Sequence, residues 1–164
     1  MAFDPAMPNG SLLDAMISSA SSFNNWTFPT KEELKKEYDV EYQYHILWEY
    51  GPIWSSFDDF VNAAGRGVNY QLSHRDDLQI DNRSHCNTMT ELVSLVSTYR
   101  SWPKFRNMNT LMDMINRFRN NEPMKMPIIL DHHGNKRIMS GNTKLDIAFM
   151  MNVVPQVLVI SLDV

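Results

Sequence analysis

The chain has 164 residues, 43% hydrophobic and 11% aromatic, enough to bury a core as one domain. No apolar run approaches the ~20 residues of a membrane span, and the single cysteine, Cys86, excludes an internal disulfide and a cysteine-built zinc cluster. The formal net charge of −4 is uneven: residues 1–99 carry 6 Lys/Arg against 14 Asp/Glu, whereas residues 100–144 carry 9 against 3. Such asymmetry points to a localised anion site rather than a surface coated by nucleic acid, the alternative being a solvated basic face that balances the acidic half.

The first 25 residues are rich in Ser, Asn, Ala and Met and read as an N-terminal arm, with one short amphipathic helix from Ser11 to Ser21. They lack a basic segment followed by an apolar core, so no secretory signal is expected and a cytoplasmic protein is the simplest account. Residues 26–164 read as a single domain. Thr30-Lys31-Glu32-Glu33 fits a capping box that opens a helix to about Tyr38. From Val40 to Tyr50, apolar and aromatic residues alternate with Glu41, Gln43, His45 and Glu49, which predicts a strand with an aromatic face. That face suits packing on a core or, less commonly, nucleobase stacking.

Gly51-Pro52 breaks this element, and Ser56–Ala64 reads as a helix with Gly65 past its end. Residues 73–85 are densely polar, with His74, Arg75, Asp76, Asp77, Asp81, Asn82, Arg83 and His85. His74-Arg75-Asp76 matches the first residues of a protein-kinase catalytic loop, but the glycine-rich loop and Asp-Phe-Gly segment are missing. This stretch suits either a hydrated loop pairing its own charges or a base and magnesium–phosphate site, in which Asp77 is the candidate base or ligand. Thr88–Glu91 is a second capping box and starts a helix to about Tyr99, ended by Trp102-Pro103. A further helix, Asn109–Phe118, carries Leu111, Met114, Ile115 and Phe118 on one stripe. The twelve methionines read as core fillers.

The segment Met126–Leu162 reads as strand, polar turn, strand, Gly-Asn loop, helix and β-branched strand. Neighbours such as His132 and His133 point to opposite faces in a strand and both face water in a short turn, so a paired metal role is disfavoured; Asp131 reads as a turn former. Gly141 permits a sharp turn and Asn142 or Thr143 caps the next helix. Backbone N–H groups, the positive end of a helix dipole and Lys144 thus come together at a corner suited to phosphate. The fold class expected is mixed α/β, a small mixed sheet with strands near 41–49, 126–130, 136–140 and 156–162.

Gly141, Lys144, Leu145 and Ala148, followed by Val154-Pro155-Gln156-Val157, stand in an order that resembles the ParB N-terminal/sulfiredoxin-like superfamily over roughly residues 100–162. Small phage-encoded members with a Gly-Asn-Thr-basic-Leu box are the most similar in pattern. The resemblance implies a nucleotide, ATP or CTP with Mg²⁺, over Ser140, Gly141, Asn142, Thr143 and Lys144. Arg106, just before the preceding helix, would substitute for the family's basic residue at the neighbouring position 107 and lie nearby with Thr110, which stands where sulfiredoxins carry a phosphate-contacting Ser. It implies a phosphotransferase or nucleoside triphosphatase acting on nucleotides or modified DNA, with Lys144 as the catalytic cation.

The pattern also departs from the family. Asn142 stands where sulfiredoxin has its catalytic cysteine, which argues against sulfinic-acid reduction. Thr143-Lys144 replaces His-Arg, exchanging a bidentate fork for a point charge. No basic recognition helix follows residue 150, as partitioning proteins would need. The alternatives are a non-catalytic protein holding DNA or a host protein on its basic 100–144 face, and a nuclease-like activity that would need an acidic metal site.

Overall fold

A computed structural model describes Ala20 and residues 22–78, 86–98 and 108–162. The Ser11–Ser21 helix expected from sequence, the Trp102-Pro103 stop, Arg106 and the charged residues at 81–85 lie outside them. The fold is mixed α/β. Its contacts group the described residues into two compact units, one within Met1–Asn25, Ser84–Met124 and Thr143–Val154, the other within Trp26–Arg83, Lys125–Asn142 and Pro155–Val164.

The second unit begins with β1 (Trp26–Thr27) and α1 (Lys31–Glu37). The capping box forms as its chemistry dictates: the Thr30 hydroxyl accepts from Glu33 N–H at 3.2 Å, and the Glu33 carboxylate accepts from Thr30 N–H at 2.9 Å. The helix then does not stop. Tyr38–Ile46 continues as a wide π-helical stretch, with Leu47 N–H donating to Tyr42 O five residues back, and α2 (Leu47–Tyr50) ends at Gly51, φ 76°. This overturns the strand expected over 40–50. Alternation placed an apolar residue at every even position, and that set contains Tyr38, Tyr42, Ile46 and Tyr50, four apart, which form one face of a wide helix. Tyr42 and Ile46 are buried at 2% and 0% exposure.

The Tyr42 hydroxyl donates to Trp54 O at 3.1 Å and accepts from Ile53 N–H at 3.1 Å, tying the following loop to the helix. Its ring lies 4.9 Å from Tyr38 and 5.0 Å from Trp54, so these aromatics build core. In α3 (Phe57–Gly65), capped by Ser56, Phe60, Ala63 and Ala64 point inward. Gly65 is the last helical residue rather than the one beyond. Gly67 is where space is short: a Cβ there would meet Leu158 Cδ1 at 2.6 Å. Its lack of a side chain lets the backbone run close beside the sheet and enter β2 (Val68–Gln71), a strand not foreseen from sequence.

A 3₁₀ turn (Arg75–Asp77) follows. In the first unit, α4 (Met89–Thr98) and α5 (Met108–Arg119) occupy the expected positions, and Leu111, Met114, Ile115 and Phe118 of α5 are buried. Phe118 meets Phe23 edge to face at 5.0 Å. After β3 (Met124–Lys125), the chain forms β4 (Ile128–His132), β5 (Asn135–Ser140), α6 (Asn142–Met150) and β6 (Gln156–Ser161).

The sheet runs β2-β6-β4-β5, with β4 parallel to β6 and the other pairs antiparallel. Its strand beyond β6 is therefore β2, not the segment near 41–49. Ile128, Leu130, Met139, Leu158 and Ile160 share a core with Leu34, Tyr42, Ile46, Trp54 and Phe60. Met126 and Met139 fill this core, as the composition suggested.

Candidate functional site

The β4–β5 hairpin closes through His133 and Gly134, both with positive φ (52° and 86°), between the paired residues His132 and Asn135. Two central residues with positive φ give the turn that matches strand twist. The Asp131 carboxylate accepts from Gly134 N–H at 2.9 Å, so Asp131 is a turn former. His133 is exposed while His132 is half-buried with its ring 5.3 Å from Tyr50. Among the described residues, no group of three or more His, Cys, Asp or Glu is arranged to hold a metal ion.

From this hairpin β5 leads back to the Gly-Asn-Thr-Lys corner. Its register slips by one residue between Ile128 and Ile129, so Ile128 pairs with Ser140 while Ile129 pairs with Ile138. Bulges of this kind re-aim the chain near sites. Gly141 follows at φ 96°, and a Cβ there would sit 2.7 Å from Pro127 Cβ and 3.0 Å from Pro127 Cα. Only glycine fits, on both conformational and steric grounds. Helix α6 starts immediately afterwards, at Asn142.

The polar inventory is unusual. Among the described residues the buried polar or charged side chains are Arg137, Ser140, Lys144 and Asp146, three of them within seven residues of chain. Charged groups are almost never fully buried without partners. Lys144 is only 6% exposed. Asp146 is 1% exposed, and its carboxylate accepts from Cys86 N–H at 3.1 Å. Asp146 belongs to no motif of the sequence. Its position inside a stretch of Leu145, Ile147 and Ala148 was the available signal. Cys86 is buried.

A hydrogen bond joins the two polar regions singled out by sequence. The Arg75 guanidinium donates from Nη2 to Asn142 Oδ1 at 2.6 Å, across 67 residues of chain. Arg75 reaches this point because β2 pairs with β6 and Leu72 N–H donates to Pro155 O at 2.9 Å, which fixes where the chain leaves the sheet. A guanidinium thus stands at the first residue of α6. Asp77 is exposed and turned to its own backbone, its carboxylate accepting from His74 N–H at 3.3 Å. Thr110 is half-buried in the first turn of α5, and Thr143 is half-buried in α6.

Three of the described basic residues of 100–144 are matched by carboxylates. Arg117 pairs with Asp113 at 2.9 Å, Lys125 with Glu37 at 3.1 Å, and buried Arg137 with Glu49. Burial pushes the Arg137 guanidinium below its ordinary pKa, and Glu41 opposes that shift. The Arg137 charge also lies 6.0 Å from the centre of the Tyr50 ring.

No family model, characterised protein or solved structure matches the chain. Among the described residues, no helix is long and apolar enough to cross a membrane.

Proposed function

We propose that the chain binds the phosphates of a nucleoside triphosphate, ATP or CTP, at the Ser140–Asn142 turn and acts in phosphoryl transfer or hydrolysis. The observation that carries this reading is the Arg75–Asn142 hydrogen bond of 2.6 Å, which holds a guanidinium beside a glycine turn that opens a helix. An Arg fork supplies the planar, bidentate recognition of phosphate that a lysine lacks. Arg75 therefore takes the role that the resemblance to the ParB/sulfiredoxin-like superfamily would assign to the Arg of its box. Lys144 lies two residues further along α6 and is buried.

Phosphoryl transfer depends on positioning and electrostatic stabilisation more than on covalent chemistry. Mg²⁺ bound through the substrate phosphates needs only one or two protein carboxylates, for which Asp77 on the same segment as Arg75 is the candidate. The superfamily resemblance places such a reaction in nucleotide or DNA-base modification. The alternative, DNA or a host protein held by a basic 100–144 face, draws less support, since Arg117, Lys125 and Arg137 are already ion-paired.

Thermal melting with ATP–Mg²⁺ and CTP–Mg²⁺ tests the reading. At ligand near 100 times Kd the gain is about 2.7 kcal/mol, several degrees in melting temperature for a chain of this size. Arg75→Gln should remove the shift while leaving the unliganded melting temperature within about a degree or two. Absence of a shift with either nucleotide, or a shift that survives Arg75→Gln, overturns the assignment.

A further inference from the structure

We draw no further inference here: the strongest candidate, the side-chain cluster of Tyr50, His132, His133 and Arg137 at the β4–β5 hairpin, carries nothing, because its buried guanidinium is already paired with Glu49 and, among the described residues, no group of three metal-ligating side chains gathers there.

Discussion

Replacing Gly141 by alanine perturbs the site through two separable terms. The backbone at φ 96° lies in a region L-residues avoid, which costs about 1–2 kcal/mol. The new methyl would also sit 2.7 Å from Pro127 Cβ and 3.0 Å from Pro127 Cα. Pro127 has little room to retreat, because its carbonyl accepts from Leu158 N–H at 2.9 Å. Overpacking of that kind adds about 1–3 kcal/mol. Together about 2–5 kcal/mol is lost, a large part of the ~5–15 kcal/mol that holds a domain folded. Urea unfolding followed by circular dichroism should show the midpoint falling by on the order of 1–2 M at a typical slope of about 2 kcal/mol/M. Gly134→Ala isolates the first term, since Gly134 has φ 86° but nothing within 4 Å of its added Cβ. It should lose only about 1–2 kcal/mol. If Gly141→Ala costs no more than Gly134→Ala, the close approach to Pro127 is not what shapes the loop.

Two further outcomes follow from the second unit's interior. Arg137 is 4% exposed and paired with Glu49, whose side chain is 37% exposed. Glu49→Ala removes one carboxylate from a buried cation and leaves it Glu41 alone, and with a discount for solvent at Glu49 the loss is about 1–3 kcal/mol. Arg137→Met removes the charge itself and should cost less, and combining it with Glu49→Ala should recover stability; urea midpoints that rank the other way refute the pairing argument. Burial raises the Tyr50 phenol above its ordinary 10.0. The unfolded chain then loses that proton first, so the contribution is complete below pH 10.0 and is lost as pH climbs from there through the folded value. Melting temperatures should fall more steeply above that pH than in Tyr50→Phe, and equal slopes would contradict the burial.

The elements legible in the chain were those with local causes. The capping box at Thr30, the Thr88 hydroxyl that accepts from Glu91 N–H, the Leu111–Phe118 stripe, the Asp131–Asn135 turn and Gly141 before a helix all depend on residues within a few positions of one another. The Glu91 carboxylate accepts from Asn87 N–H instead of closing the second box expected at Thr88. The aromatic alternation from Val40 to Tyr50 misled because the same residues satisfy two periods. Helix α1, already nucleated at Thr30, was extended at the longer one, with the core burying Tyr42 and Ile46. β2 carried no pattern to read, since all four of its residues are exposed and only pairing with β6 makes it a strand.

The candidate site divides along the same line. Gly141 and Lys144 announce a helix start with a cation nearby, because glycine and charge act within one turn of backbone. Asn142, expected as a cap, is instead the first helical residue and accepts from Arg75. That Lys144 is buried, that Asp146 holds Cys86, and that Arg75 reaches Asn142 could be settled only by the tertiary structure. Burial and a hydrogen bond across 67 residues depend on how strands pair and helices pack. The chain names the residue types of the corner; folding decides which cation stands at it.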